Sequence, residues 1–225
     1  MLLPRLRKAL RQAADPIKAL MMQAYTKSEM PYHGVPAPAL RQICTVTFAQ
    51  LEFPTAPQWQ EQVLGLWRGA QYREERYAAM YLSRHKSARS YQTPAAMKLY
   101  EELIITGAWW DYVDEIASNR VGPILRDYPA GMRRRMLAWS RSSDMWKRRT
   151  SIICQLKFKE ETDLALLYAC IEPSLASQEF FLRKAIGWAL RQYAWTDAAE
   201  VKRYVRRNRD RLSALSIREA LKNIT

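Results

Sequence analysis

The sequence predicts an all-α protein built from stacked helical hairpins. Residues that favour helices, among them Ala, Leu, Arg, Glu, Lys, Gln and Met, recur throughout the 225-residue chain. No stretch sustains an alternation of apolar and polar side chains with period two, so strands are not expected. Short connectors with Gly, Pro, Ser or Asp separate the helical segments. Hydrophobic residues make up 48% of the chain, which is enough for a substantial core.

The helices follow from the apolar periodicity and from the breaks between segments. The first two are predicted from about Pro4 to Ala13 and from about Pro16 to Thr26. The segment 33–38 is a clear break, and Pro36 or Pro38 is well placed to begin a third helix. The segment 54–57 is another break. Further helices are expected at about 58–68, 73–86, 94–106, 109–119, 130–140, 144–157, 161–171, 178–193, 197–207 and 216–223.

A weak internal repeat relates these helices to one another. Arg76 and Arg149 lie 73 residues apart, and Lys184 follows Arg149 after another 35. A period in the high thirties with two helices per unit is typical of HEAT-like repeats stacked as a curved α-solenoid. The second helices would then line a basic concave face that carries Arg76, Asp114, Arg149 and Lys184. The whole chain, 1–225, is predicted to be one domain of this kind.

The charge balance points to a polyanionic partner. Lys and Arg number 36 against 22 Asp and Glu, which gives a net charge of +14 and a pI of about 9.9. Such an excess favours nucleic acid, with an anionic membrane surface as the competing partner. A basic soluble protein without any polyanionic partner is the alternative that charge alone leaves open.

The residues that hold metals and nucleotides are scarce or badly spaced. Cys44, Cys154 and Cys170 form no CxxC motif and have apolar neighbours, so they are predicted to be reduced core residues. His33 and His85 lie near no cluster of Cys, His and carboxylates. A P-loop and a dinucleotide fingerprint are also missing from the sequence. We therefore expect chemistry that uses no metal and no nucleotide cofactor.

No apolar run approaches the roughly 20 residues needed to cross a bilayer, so no membrane association is expected. The basic N-terminal segment, 1–20, resembles a transit peptide in composition, but Leu3, Leu6 and Leu10 fit an ordinary amphipathic helix better. A monomer in the cytoplasm of a bacterial-type cell, associated with the nucleoid through DNA binding, is the expected setting.

The stretch 108–114, AWWDYVD, stands out because it is acidic and aromatic within a basic chain. On a helix Trp110 and Asp114 are four residues apart and share a face. A carboxylate beside an aromatic plane is suited to stabilise a developing positive charge. By itself Asp114 would more often be a solvated surface acid. Trp109 and Val113 form a second pair at the same spacing and are predicted to face the core.

Cations recur at helical spacing in the second half of the chain. Lys184, Trp188 and Arg191 are spaced i, i+4, i+7 and form one stripe. Arg148 and Arg149 lie in a basic cluster, 147–149, at the start of a predicted helix. Such cations can follow a phosphate backbone, which dominates affinity and carries little sequence information. The alternative for each of them is an ordinary solvated helix face.

Several long strings make a family resemblance specific. LIITGAWWDYVD at 103–114 and EFFLRKAIGW at 179–188 resemble the AlkD family of alkylpurine DNA glycosylases. Further similarity lies at 146–149, 154–159, 190–194 and 215–220, and at 25–27 and 34–41 near the N-terminus, so that it covers nearly the whole chain. Pro36 and Ala37 replace the polar residues that the family has at that point.

The resemblance implies a HEAT-like solenoid that cups duplex DNA and removes cationic N3- or N7-alkylated purines without flipping the base. Trp110, Asp114 and Trp188 would then lie at the lesion as catalytic residues. Arg149 would hold the DNA backbone, and the further DNA-binding residues would be Tyr25, Arg41, Lys157 and Arg191, beside Lys184 and Arg148 from the charge pattern.

The chemistry fits those residues independently. Alkylation places a positive charge on the purine and makes its N-glycosidic bond labile, and positive charge then moves onto the deoxyribose as that bond breaks. A fixed carboxylate stabilises this oxocarbenium-like transition state more than the ground state. We therefore expect a monofunctional hydrolase of N-glycosyl bonds whose partner is duplex DNA containing alkylated purines. The alternatives are a HEAT-like nucleic-acid-binding protein without catalysis and a protein-binding scaffold.

Overall fold

The computed structural model describes residues 2–224, and within that range every regular element is helical. The all-α prediction is therefore confirmed. The fourteen α-helices of the described chain are α1 Leu2–Gln12, α2 Pro16–Thr26, α3 Ala37–Phe48, α4 Ala56–Arg68, α5 Arg73–Ser83, α6 Met97–Gly107, α7 Trp110–Ile116, α8 Gly122–Asp127, α9 Pro129–Ser140, α10 Met145–Ile153, α11 Leu164–Ile171, α12 Phe180–Tyr193, α13 Ala198–Arg207 and α14 Ala214–Leu221. Short 3-10 segments lie at Lys86–Tyr91, Pro94–Ala96, Lys159–Glu161 and Glu172–Ser174, and a π-helical segment spans Ala117–Val121.

The internal repeat is visible in the residues at which alternate helices begin. The helices α3, α5, α7, α10, α12 and α14 begin at intervals of 34 to 37 residues. The fifth residue is charged in five of these six helices, namely Arg41, Asp114, Arg149, Lys184 and Arg218. Arg76 is the fourth residue of α5. The chain is thus a series of helical hairpins of similar length, which is the pattern of a helical repeat protein. A charged position recurs in these hairpins.

The chain divides into two compact units, one up to Leu99 and one from Tyr100 onward. The division falls within α6. In the first unit α1, α3, α4 and α5 pack around a core that includes the fully buried Leu6, Leu10, Trp59 and Trp67. The helix α2 contributes little to this core, since its only buried residue is Thr26.

A buried ion pair ties the first unit together. Arg7 of α1 donates through Nε to Glu75 Oε1 of α5 at 2.9 Å, and its Nη2 reaches the Gly69 carbonyl after α4 at 2.6 Å. The main-chain N–H of Gln71 also donates to Glu75, at 2.7 Å. The Glu75 side chain is fully buried, so these charge-assisted hydrogen bonds compensate the desolvation of its carboxylate.

The second unit consists of two layers of helices. The helices α7, α10, α12 and α14 pack side by side in that order, and we call them the site layer. The other layer contains α9 and α11, which pack together, and α13, whose Tyr204 stacks on Tyr168 of α11. A core cluster between the layers includes Ile152 and Ile153 of α10 and Ile186 and Leu190 of α12. The site layer therefore has one face on the core and one face available for function.

The helix that begins with Trp110 continues further than the sequence predicts. Helix 109–119 was expected to end before Gly122 and Pro123, but the π-helical segment leads directly into α8. Pro123 lacks an N–H, so the carbonyl of Asn119 would lose its donor in a regular helix. The Arg120 guanidinium donates to that carbonyl instead. Gly122 is required here, because a Cβ would lie 2.3 Å from the Cys154 carbonyl oxygen.

Most of the other predicted helices are found within a few residues of their expected ends. The largest shortening is in α10, which ends at Ile153 instead of near Lys157. The predicted helix 73–86 ends at Ser83 and is followed by a 3-10 segment. The three cysteines are buried and free, as predicted for core residues. Within residues 2–224 there is no helix with both the length and the apolar character that a membrane span needs.

Candidate functional site

Asp114 lies in the middle of α7 and is held by a two-pronged ion pair. Arg149 of α10 donates from Nε to Oδ1 and from Nη2 to Oδ2, both at 2.7 Å. Both side chains are largely buried, with 15% of the Asp114 side chain and 5% of the Arg149 side chain exposed. The guanidinium fork matches the two carboxylate oxygens, so the orientation of the carboxylate is fixed.

Arg149 is itself fixed by α12. Its Nη1 donates to the main-chain carbonyl of Phe181, and its guanidinium carbon lies 5.8 Å from the centre of the Phe181 ring. The three helices α7, α10 and α12 thus meet at one guanidinium. The predicted contact between Arg149 and the DNA backbone stays a prediction, because its hydrogen bonds here go to Asp114 and Phe181.

The environment of Asp114 changes its acidity. Burial raises the pKa of Asp114 above its usual range, and nearby Asp111 adds to this increase. The hydrogen bonds and charge of Arg149 oppose the increase without cancelling it. A partly buried carboxylate with a raised pKa, held by one cation, is the kind of group that recurs at functional sites.

Trp110 is the first residue of α7, one turn before Asp114, and is half-buried. Trp109 precedes it and packs in an aromatic cluster, with ring centres 6.3 Å from Trp146 and 5.6 Å from Phe181. Val113, the predicted partner of Trp109 toward the core, is fully buried.

The predicted stripe of Lys184, Trp188 and Arg191 lies on α12, and an acid of α14 neutralises part of its positive charge. Glu219 accepts from Lys184 Nζ at 2.9 Å and from Arg191 Nη1 at 2.5 Å. The Lys184 ammonium and the Arg191 guanidinium lower the pKa of Glu219, so it remains a carboxylate. Trp188 lies between these cations in sequence, is half-buried, and packs against the core of the second unit.

Gly187 allows this arrangement. A Cβ at Gly187 would lie 2.5 Å from the Cβ of Glu219 and 2.8 Å from the Ser216 carbonyl oxygen. The helices α12 and α14 therefore approach so closely that only glycine fits between them. This approach brings Glu219 within reach of both cations on α12. Sequence reasoning missed Glu219 as the partner of these cations, because Lys184 and Arg191 lie 28 or more residues away from it.

The cations at 147–149 are adjacent in sequence but diverge in the structure. Lys147 pairs with Glu101 of α6 at 2.6 Å. Arg148 donates to Ser174 Oγ at 3.0 Å and to the Pro173 carbonyl at 3.2 Å, both after α11. Arg149 alone reaches Asp114. Consecutive helical residues point about 100° apart, which explains why the sequence cluster is not a spatial one.

Lys157 lies closer to α7 than its sequence position indicates. It is exposed, and its Nζ donates to the side-chain oxygen of Asn119 in the π-helical segment. Asn119 follows Asp114 by five residues in the same continuous helical rod. Lys157 is thereby placed beside the helix that carries the candidate carboxylate.

Two predicted DNA-binding residues belong to the first unit. Tyr25 near the end of α2 is 77% exposed, and Arg41 on α3 is also exposed. The loop between these helices is rigidly held, because Glu74 of α5 accepts from the N–H groups of three consecutive residues, His33, Gly34 and Val35. Sequence reasoning identified this loop as a break but missed Glu74, which is fully buried.

Glycine is required at the centre of this loop. Gly34 has a φ of +84°, and a Cβ there would lie 2.0 Å from the Asp15 carbonyl oxygen. The divergent residues Pro36 and Ala37 follow after Val35, as the N-cap and the first residue of α3. Within residues 2–224 there is no group of three or more His, Cys, Asp or Glu side chains placed to hold a metal ion.

Comparisons with known proteins identify the family and the fold. The profile of the DNA alkylation repair enzyme family matches residues 6–224. A solved structure from Enterococcus faecalis, described as a predicted DNA alkylation repair enzyme, superposes with a TM-score of 0.85 at 25% identity, over 94% of this chain and 97% of that one. The comparison with curated proteins gives no match. Since the family profile spans both units and nearly every residue, the chain belongs to the DNA alkylation repair enzyme family.

Proposed function

We propose that this protein is a monofunctional DNA glycosylase that hydrolyses the N-glycosidic bond of cationic N3- or N7-alkylated purines in duplex DNA. Substrates of this class include 3-methyladenine and 7-methylguanine. The observation that carries the proposal is the Asp114 carboxylate, oriented by both prongs of Arg149 and one turn from Trp110. A protein that only binds the DNA polyanion gains nothing from a fixed carboxylate in its binding layer.

The proposed reaction needs a negative charge in a fixed position. The alkylated purine leaves as a neutral base, and its departure places positive charge on the deoxyribose. Asp114 stabilises this oxocarbenium-like sugar, and it also orients the attacking water and accepts its proton. Because the ion pair already holds the carboxylate in place, little reorganisation is needed when the charge develops. No metal enters this scheme.

Trp110 and Trp188 are proposed to flank the sugar and the lesion. An aromatic face attracts a cation by roughly 0.5–2 kcal/mol, depending on how far the pair is desolvated. Trp110 shares a helix face with Asp114, and Trp188 lies two turns after Phe181, about 10 Å along the axis of α12. We propose, from the family resemblance, that the base is not flipped into a pocket.

Arg149 has a different part in this proposal from the one that its sequence context suggests. Its three hydrogen bonds to Asp114 and Phe181 make it a positioning residue for the carboxylate. Arg191, Lys184 and Lys157, with Tyr25 and Arg41 in the first unit, are proposed to contact phosphates. Arg148 is the weakest member of the predicted set, because it donates to Pro173 and Ser174.

The first test is release of free 3-methyladenine and 7-methylguanine from methylated duplex DNA. Wild-type protein should release both bases, and Asp114→Asn should reduce the excision rate by about 100-fold or more, because it removes the charge that stabilises the transition state. Binding of intact duplex should change by less than about threefold. Asp111→Asn is the matched control, since it removes an acid from the same helix and should retain most of the activity.

The possible outcomes separate the candidate functions. Undiminished excision by Asp114→Asn would contradict the proposed mechanism. Tight, salt-dependent DNA binding by the wild type without release of methylated bases or of a bulky alkyl adduct would favour the non-catalytic DNA-binding alternative. Weak and salt-insensitive DNA affinity would favour the protein-binding scaffold.

A further inference from the structure

The last helical hairpin carries a concentration of cations that the proposed site does not use. Residues 202–211 include six Lys and Arg and one acid, Asp210. All six cations are exposed. Arg203 and Arg211 pair with acids, and the other four lie on α13 or just after its last turn. We call this set the α13 basic surface; it consists of Lys202, Arg206, Arg207 and Arg209.

Two of the neighbouring acids are already engaged by other groups, and Asp210 is exposed. Glu200 pairs with Arg203 and accepts from the Tyr168 hydroxyl at 2.8 Å. Glu172 pairs with Arg211. Among the residues described, 2–224, the side chains of Arg206, Arg207 and Arg209 form no ion pair. These three arginines therefore add positive charge to this side of α13, which makes it a site of positive potential.

The α13 basic surface lies on the other layer from Asp114. Val201, Tyr204 and Val205 form the buried side of α13, and Tyr204 stacks on Tyr168 of α11 with ring centres 4.1 Å apart. Lys202 and Arg206 lie on the opposite side of the helix, at about 100° per residue. They therefore face outward from the layer that contains α9 and α11, and not from the site layer.

We propose that the α13 basic surface binds the phosphate backbone of a second segment of duplex DNA, so that one protein molecule holds two segments. Arginine is suited to this, because its planar fork of donors matches phosphate oxygens. Duplex DNA is favoured over an anionic membrane, because the outward side of α13 carries cations and the small residues Ala198 and Ala199. Among the residues described, Trp195 just before the helix is the one large exposed aromatic residue nearby. The proposal relies on DNA as the partner of this family but not on glycosylase chemistry.

The test measures how many duplexes one protein molecule binds. Wild-type protein is titrated with a short unmodified duplex and the stoichiometry is read by native mass spectrometry. In parallel, a duplex fixed on beads is tested for capture of a second, fluorescent duplex through the protein. We expect two duplexes per wild-type molecule and one per molecule of the triple variant Arg206→Ala, Arg207→Ala, Arg209→Ala. Capture of the second duplex should fall at least about tenfold.

The matched control is Lys86→Ala, Arg89→Ala, Lys98→Ala, which removes three exposed cations from elsewhere in the chain. It should capture the second duplex within about twofold of wild type. A second variant, Arg206→Glu with Arg207→Glu, should abolish capture, and circular dichroism during heating checks that all variants are folded.

Three results would overturn the proposal. One is a single duplex per wild-type molecule. Another is undiminished capture by both α13 variants. The third is binding to vesicles of anionic phospholipid that is stronger than binding to DNA and is lost in the triple variant. The duplex is unmodified, so failure of base excision would leave this outcome unaffected.

Discussion

At the scale of single residues, Asp114 combines features that oppose each other. Burial disfavours its ionised form, whereas the fork of Arg149 favours it, and the pKa remains raised. A surface carboxylate that served stability alone would lie in water or beside a stronger set of donors. Asp114 instead keeps an accessible edge while its direction is fixed. This combination supports a role in which its charge meets another group.

The raised pKa has a consequence for the pH dependence of excision. The proposed mechanism needs the carboxylate, so activity should fall as the pH drops through the pKa of Asp114, above the usual range for Asp. Arg149→Ala removes the positive charge that favours the Asp114 carboxylate, so it raises the pKa of Asp114 further. The acidic limb of the pH profile of excision should therefore move to higher pH. Lys147→Ala, which removes a cation from the same helix but pairs with Glu101, should leave the limb in place. An unmoved limb in Arg149→Ala would show that Asp114 does not control it.

Glu219 sets the charge that α12 presents. Its carboxylate forms ion pairs with Lys184 and Arg191, which are the two cations on either side of Trp188 in sequence. Glu219→Gln should release both cations toward phosphate, tighten binding of intact duplex by about three- to tenfold, and steepen its salt dependence. Binding constants measured at several salt concentrations would test this. Glu179→Gln is the control, because it removes an exposed acid just before α12. An equal gain in duplex affinity in this variant would show that the effect of Glu219→Gln comes from net charge alone.

At the scale of elements, the ion pair between Arg7 of α1 and Glu75 of α5 contributes to the stability of the first unit in acid. Burial alone would raise the pKa of Glu75, but interactions with His33, Arg7 and the Gln71 N–H outweigh burial and lower the pKa to about 2. The carboxylate is therefore more favourable in the folded state. Its contribution is fully present above an ordinary Glu pKa near 4.5 and is lost as the pH falls toward 2.

Glu75→Gln should lower the stability at neutral pH by about 3 kcal/mol, on the basis of 1.4 kcal/mol per pKa unit. The variant should also lose part of the stability change between about pH 4.5 and pH 2. Chemical denaturation at a series of pH values measures both effects. The exposed Glu61→Gln on α4 is the control and should follow the wild-type curve. A Glu75→Gln curve parallel to wild type would contradict the assigned cause.

The sequence predicted elements well where the evidence was local. The helix predicted from about Pro16 to Thr26 is found as α2, and the one predicted at about 197–207 is found as α13. The prediction failed at α8, because Gly122 and Pro123 normally interrupt a helix, and here a π-helical turn and Arg120 absorb the interruption. The need for glycine at this point comes from the close approach of the Cys154 carbonyl, which lies far away in sequence.

The candidate site was predictable in type but not in pairing. Asp114 and Trp110 share one short helix, so their common face followed from spacing. The partners of the charged residues did not follow, because Arg149 is 35 residues from Asp114, and Glu219 is 28 from Arg191. At such separations many acids are equally available to each cation in the sequence. Only the packing of α7, α10, α12 and α14 selects among them.

At the scale of the whole molecule, the regular spacing of helix starts explains how scattered charges become related. Six alternate helices begin 34 to 37 residues apart, and five carry a charge at the fifth residue. Four of those five charges are positive, and Asp114 is the exception. A series that repeats a cation and substitutes one acid is consistent with a polyanion-binding protein that has one specialised position.

The contact between α12 and α14 at Gly187 has a consequence for cooperativity. In a stack of hairpins each hairpin is supported mainly by its neighbours, so local opening of one hairpin costs less free energy than global unfolding. Transient opening of the α13–α14 hairpin would remove Glu219 from Lys184 and Arg191 while leaving Asp114 and Arg149 bonded to each other. Local fluctuation of this hairpin would therefore change, reversibly, the charge that α12 presents, without disturbing the carboxylate.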